Sequence, residues 1–261
     1  MANYRFFLDY IIHRFTAKTR HGVHSPFVYK LIDEVIYNFK PKPYEHGIEK
    51  QRAQLKRDTQ LITITDYGAG SHANNAQKKS VSTIAKQALK PKSLAQLLGR
   101  LAQRFAPPSI IELGTCLGIT TAYLAKAAPE ARIVTVEGCP EIAQVARQTF
   151  HQLGVDRIDL RIGNFDELLP QLLQAFSQID FLFIDGNHRK EATLNYFQMC
   201  LPQVHEQTVL IFDDNYWSKG MKEAWEEIKA HPDVSLTIDL FFIGLVFFKR
   251  NQAKEHFKIK F

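Results

Sequence analysis

Several short stretches of this chain gather residue types able to do chemistry. In the first, the apolar run Ser109-Ile110-Ile111 leads into Glu112-Leu113-Gly114-Thr115-Cys116-Leu117-Gly118. Pro107 and Pro108 close off what precedes it, and Ala122-Tyr123-Leu124-Ala125-Lys126 reads as a helix after it. Strand, tight turn, helix is the opening unit of a nucleotide-binding α/β sheet. Gly114 has no Cβ, so the chain can turn sharply there and a ligand can lie against the backbone. The amides at the start of the following helix favour a negative group. A second apolar run ends in Glu137-Gly138, where a carboxylate can accept hydrogen bonds from both hydroxyls of a ribose. A third ends in Asn164-Phe165, placed to pair with the edge of an adenine and cover its face. Asp185-Gly186-Asn187-His188 and Asp213-Asp214-Asn215 end the fourth and fifth. Carboxylates left close together repel, so a cation is expected between them or one pKa rises. Asp185, Asp214 and Asn215 offer only oxygen ligands, which suits Mg²⁺.

These residues are useful only if a sheet lines them up, because ligands of open α/β sheets bind beyond the carboxyl ends of the strands. The spacing predicts that sheet. Strands at Ser109–Leu113, Arg132–Glu137, Ile158–Ile162, Ile179–Ile184 and Thr208–Phe212 alternate with helices. The helices after the second strand run over Pro140–Leu153, Asp166–Phe176, Lys190–Cys200 and Lys219–Ala230. The close differs. Val234–Leu240 and Leu245–Lys249 straddle Gly244 with no room for a helix, which predicts an antiparallel hairpin. Upstream, Tyr4, Phe7, Leu8, Ile11, Ile12 and Phe15 stand at helical spacing, and this amphipathic helix is expected to dock onto the body of the protein. Ser25-Pro26 reads as a cap and first-turn proline opening a helix to about Asn38. Residues 41–80 read as polar and irregular. They include a second glycine cluster, Asp66-Tyr67-Gly68-Ala69-Gly70-Ser71-His72, as either a mobile lid or a connector. Helices resume near Ser80–Leu89 and Ser93–Phe105.

The pattern Glu-x-Gly-x-x-x-Gly-x-Thr over Glu112–Thr120 resembles motif I of class I S-adenosylmethionine-dependent methyltransferases, particularly the catechol-type and caffeoyl-type O-methyltransferases. A dinucleotide site would instead want a glycine where Cys116 stands. The resemblance covers about residues 93–249. It implies a Rossmann-like class I methyltransferase sheet of order 3-2-1-4-5-7-6 with strand 7 antiparallel, carrying an N-terminal helical extension. It implies S-adenosylmethionine held by Glu112, Gly114, Thr115, Gly118, Thr120, Glu137, Gly138, Asn164, Phe165 and Asp185. Asp185, Asp214 and Asn215 match the Asp … Asp-Asn metal site of catechol-type enzymes residue for residue, which implies Mg²⁺. In those relatives a lysine stands three positions after the strand-four aspartate. Here that position is His188, followed by Arg189 and Lys190. Imidazole exchanges protons near neutral pH, so His188 with Asp185 forms the expected catalytic pair, while a substrate-contacting role for His188 stays open.

Composition narrows the classes. The 261 residues, 45% of them hydrophobic, can bury one large core. No apolar run approaches the roughly 20 residues needed to span a bilayer, and no secretory signal is legible. Three cysteines, Cys116, Cys139 and Cys200, without a Cys-x-x-Cys, argue against a disulfide framework or zinc site and for a cytoplasmic setting. The net charge of +6 is uneven. Residues 1–105 hold 18 Lys/Arg against 7 Asp/Glu, and the remainder 15 against 20. The expected organisation is a helical cap with the lid loop over residues 1–80, a methyltransferase domain over 81–250 and a basic tail over 251–261. The expected activity is O-methylation of a small hydroxylated acceptor, with a homodimer among the allowed assemblies. An RNA (tRNA) O-methyltransferase using the basic front half and a non-catalytic cofactor-binding module remain as alternatives.

Overall fold

The computed structural model describes residues 4–64, 77–250 and 252–261. They divide into two units, one comprising residues 1–38 with 170–261 and the other residues 39–169. The chain begins in the first unit with α1 (Tyr4–Thr16) and α2 (Pro26–Leu31), the latter extended by a π turn, Ile32–Ile36. Pro26 takes the first helical position as expected, but Ser25 makes no side-chain cap. α1 overturns one expectation. Its buried residues are Asp9 and His13, while Tyr4, Phe7, Leu8, Ile12 and Phe15 are exposed. The polar face docks because partners wait for it. Lys222 Nζ donates to Asp9 Oδ1 at 2.5 Å, and His13 Nε2 lies 3.2 Å from Asp239 Oδ1.

The second unit contains α3 (Glu45–Leu55), β1 (Leu61–Ile64), β2 (Gln77–Ser80), α4 (Val81–Gln87), α5 (Lys92–Phe105), β3 (Ser109–Leu113), α6 (Ile119–Ala127), β4 (Arg132–Glu137), α7 (Pro140–Leu153) and β5 (Asp159–Ile162). Residues 41–80, expected to be irregular, carry α3 and an antiparallel β1–β2 pair instead. Few apolar residues are needed for this. Ile48, Leu55 and Ile62 join Val81, Ile84, Tyr123 and Val145 in one core cluster. Polar ties complete the seam. Tyr123 Oη donates to Glu49 at 2.9 Å, and the Thr63 amide donates to Glu141 at 2.7 Å. The Asp66–His72 cluster and its reading as a lid lie outside the described residues. β3, β4 and β5 run parallel, with β3 beside β4 and β4 beside β5.

The chain returns to the first unit within α8 (Phe165–Ala175) and continues through β6 (Phe181–Ile184), α9 (Lys190–Cys200), β7 (Val209–Asp213), α10 (Lys219–Ala230), β8 (Leu236–Asp239), β9 (Ile243–Phe247) and β10 (Glu255–Lys258). β6 pairs parallel with β7, and β9 is antiparallel to both β7 and β8. The strand orders 3-2-1 and 4-5-7-6 expected for the two halves of a class I methyltransferase sheet are therefore both present, in a mainly parallel α/β fold. β10 is an addition. The segment read as a basic tail pairs parallel with β8 and extends that edge. The hairpin also differs in detail. Its left-handed turn residue is Phe241, with φ 74°, stacked on Tyr216 at 4.7 Å. Gly244 lies inside β9, where a Cβ would stand 2.3 Å from Asn215 Nδ2 and 2.5 Å from the Trp225 ring. A glycine within a strand here marks close approach rather than a turn.

Candidate functional site

The residues singled out from sequence fall into two sets, each within one unit. In the second unit, β3 is buried along its whole length and delivers the chain into the 114–118 loop. Gly114 turns with φ 110°, and its amide and that of Thr115 donate to the Val136 carbonyl at 2.9 and 3.1 Å. Cys116 adopts φ 49°, and Gly118, with φ 82°, opens α6. A non-glycine residue held in the left-handed region costs energy and marks a place where the surroundings dictate the backbone. Glu137 is what dictates it here. Its Oε2 accepts from the Cys116 amide and its Oε1 from the Cys139 amide, both at 2.9 Å. The carboxylate thus ties the loop to the start of α7. Gly138 forms the half-buried link between Glu137 and Cys139.

Glu112 stands near the end of β3. It is fully buried, and its Oε2 accepts from Thr121 Oγ1 at 2.5 Å and Thr135 Oγ1 at 2.6 Å. Thr135 in turn meets Thr115 Oγ1 at 2.6 Å. This buried chain of oxygens clamps both ends of the loop, joining β3, β4 and α6. Thr120 is buried in the first turn of α6. At the end of β5, the Gly163 amide donates to the Glu137 carbonyl at 3.0 Å, so the ends of β4 and β5 are held together. Asn164 caps α8 by accepting the Asp166 amide at 3.0 Å, and Phe165 stands half-buried beside it.

In the first unit, the ends of β6 and β7 bring acidic groups together. Asp185, His188 and Asp213 each place a ligand atom within 4.8 Å of the other two. His188 Nε2 lies 3.9 Å from Asp185 Oδ1 and 3.8 Å from Asp214 Oδ2. Asp213, buried at the end of β7, is a member of the cluster that the sequence reading passed over in favour of Asp214. Alternation along a strand sends neighbouring side chains to opposite faces, so the doublet alone does not say which faces Asp185. Asp214 leaves the strand with φ 55°, and Asn187, after β6, has φ 51°. Asn187 is fixed from both ends of its amide, donating to Tyr196 Oη and accepting from Arg189 Nε, each at 2.8 Å. Asn215 is 1% exposed, and its Nδ2, packed beside Gly244, has no hydrogen-bond partner among the described residues.

Tyr216 and Trp217, adjacent in sequence, separate sharply. Tyr216 is buried and donates to Asp239 Oδ2 at 2.5 Å, while Trp217 is 58% exposed. Burial alone would raise the Asp239 pKa, but hydrogen bonds from His13, Tyr216 and the Phe241 amide outweigh it and hold the carboxyl below its ordinary value. The same burial, with Asp239 alongside, pushes the Tyr216 phenol far up.

A glycine loop tied to a buried glutamate, a carboxylate after the next strand and the two strand orders resemble the fold of class I S-adenosylmethionine-dependent methyltransferases. Residues 111–215 match the family described as a methyltransferase domain. The chain is 34% identical over 133 residues to a catechol O-methyltransferase of Mycobacterium tuberculosis, covering 50% of this chain and 57% of that protein. It is 33% identical over 122 residues to a catechol O-methyltransferase of Niastella koreensis, covering 46% and 53%. The chain thus spans about half the length of the curated relatives it matches. Among solved structures, the O-methyltransferase TomG of Streptomyces achromogenes, in complex with S-adenosylmethionine, shares the fold. Its TM-score is 0.58 at 19% identity, covering 85% of this chain and 95% of that one. Among the described residues, no helix is long and apolar enough to cross a membrane.

Proposed function

We propose that this chain is an S-adenosylmethionine-dependent O-methyltransferase acting on a small hydroxylated acceptor, with a divalent cation assisting. The observation that carries the reading is Glu137, whose carboxylate at the end of β4 holds the Cys116 amide of the glycine loop, the place where the donor's ribose would lie. Gly114 and Gly118 let the donor's methionine part lie along the loop, and Asn164 and Phe165 take the adenine. Thr115, Thr120 and Glu112 keep the loop in shape from below. Methyl transfer from a sulfonium is an in-line displacement, so what the protein must supply is position and a deprotonated oxygen. His188 takes the acceptor's hydroxyl proton at Nε2, and the neighbouring Asp185 and Asp214 carboxylates stabilise the imidazolium that results.

The acidic cluster fits a cation. Divalent ions hold ligands at about 2.0–2.6 Å, so donors around one ion stand up to about 5 Å apart, and the spread within the Asp185, His188 and Asp213 set is inside that limit. Asp185 with Asp213 or Asp214, and Asn215 beside them, would hold Mg²⁺. A bound cation lowers the pKa of an acceptor hydroxyl. His188, as the base, keeps its Nε2 lone pair for the proton, so the cation would be held by the oxygen ligands alone.

The test is methyl transfer from labelled S-adenosylmethionine to a panel of hydroxylated acceptors, with and without EDTA and with metal add-back. Methylated product that EDTA suppresses supports the reading. Tight donor binding without any product instead identifies a cofactor-binding module. The basic front half supports an RNA substrate as the second reading, distinguished by RNA binding that weakens steeply with salt.

A further inference from the structure

Helix α1 is amphipathic the wrong way round for a helix whose outer side faces water. At about 100° per residue, Asp9 and His13 share one face, and Tyr4, Leu8 and Phe15, flanked by Phe7 and Ile12, share the opposite one. The polar face is the docked one, held by Lys222 and Asp239. Phe6, on the docked face beside His13, and Tyr10, at its edge, pack edge-on against Phe241, each with ring centroids 5.1 Å away. The apolar face is in solvent, with Phe7 60% and Phe15 86% exposed. Soluble proteins rarely leave a contiguous stripe of large apolar side chains uncovered unless something binds there.

The charges around the stripe say what covers it. Arg5 and Arg14 border it on its two sides, both exposed. The acidic residue of the helix, Asp9, is buried on the far face and paired with Lys222 and, at 3.7 Å, with Arg5. An anionic bilayer meets both demands, since the apolar stripe enters the acyl boundary while the arginines reach the phosphates. Trp217, exposed and edge-on to Phe6 at 6.5 Å, places an indole beside the helix. Past the helix end, Lys18, Lys229 and Lys258 line a cavity of about 270 Å³ together with Asp239.

We propose that α1 is an interfacial helix that seats this protein on an anionic lipid surface, with Phe7, Leu8, Ile12 and Phe15 inserted and Arg5 and Arg14 at the headgroups. The experiment uses the full chain with vesicles of phosphatidylcholine alone and of phosphatidylcholine mixed with phosphatidylglycerol. Co-sedimentation is read beside tryptophan emission. Of the two tryptophans, Trp225 is fully buried, so a blue shift on vesicle addition reports Trp217. Binding to the mixed vesicles, weakened by salt, is expected. Phe7→Ser and Phe15→Ser should each lower the partition coefficient about tenfold or more, and Arg14→Glu about tenfold. These side chains point outward, so thermal midpoints should stay at the wild-type value and confirm that folding is intact. The proposal is overturned by absence of binding to either vesicle or by undiminished binding of the serine variants. It is equally overturned by a dimer in sedimentation that Phe15→Ser dissociates, which would assign the stripe to a second copy.

Discussion

Gly118 stands where the 114–118 loop becomes α6, and replacing it with alanine meets two separable costs. The first is the backbone. At φ 82°, an L side chain pays about 1–2 kcal/mol relative to glycine. The second is space. An added Cβ would lie 2.6 Å from Phe150 Cε1, 3.2 Å from Cζ and 3.3 Å from the Ala146 Cβ. Phe150 is buried in α7 within a cluster that includes Ala143, Ala146 and Leu160, so its ring has little room to retreat. Overpacking of this kind costs about 1–3 kcal/mol. Gly118→Ala is therefore expected to lose about 2–5 kcal/mol, a large share of the roughly 5–15 kcal/mol that keeps a domain folded. Urea unfolding followed by circular dichroism gives the number. The two costs come apart in a double-mutant cycle with Phe150→Ala, which removes the ring and leaves the dihedral. The cycle should show a favourable coupling of about 1–3 kcal/mol, the clash relieved, while the backbone cost persists. Donor affinity by calorimetry should fall with the loop's displacement even in the double variant. A loss below about 1 kcal/mol in the single variant, or strictly additive costs in the cycle, would refute the reasoning.

Two further outcomes follow from the same geometry. Glu137→Gln keeps an acceptor for one loop amide but loses the charge, so S-adenosylmethionine and its demethylated product should bind about tenfold to a hundredfold more weakly; unchanged calorimetric affinity in folded protein would remove Glu137 from the site. Asp239 predicts the acid limb of stability. Its folded pKa lies below its unfolded value, so its contribution is complete above the ordinary aspartate range near about pH 4 and is lost as pH falls through the lowered folded pKa. Asp239→Asn should cost roughly 3 kcal/mol at neutral pH by leaving His13 and Tyr216 without their charged partner, and should flatten the acid limb. Thermal midpoints of wild type and variant that fall in parallel between neutrality and strong acid would contradict this.

Much of the fold was legible in the chain itself. The runs at Ser109–Leu113, Arg132–Glu137, Phe181–Ile184 and Val209–Asp213 are apolar and β-branched enough to be buried strands wherever they are placed, and the helices between them carry their own periodicity. The glycine loop was readable for the same reason, because its backbone needs are local. Other features had no local signature. The 45–64 stretch looked polar because its only buried apolar residues are Ile48, Leu55 and Ile62, and its partners Tyr123 and Glu141 lie 74 and 78 residues away. The hairpin's turn went to Phe241 rather than Gly244 because Asn215 and Trp225 crowd the glycine. Asp213 entered the acidic cluster because the sheet fixes which side chain of a doublet faces Asp185. In α1, periodicity revealed two faces but not which one turns inward. That was decided by Lys222 and Asp239, 213 and 226 residues away in the chain. Local sequence sets an element's shape and its faces. Only the folded chain brings the distant charges that make burying the polar face the lower-energy choice.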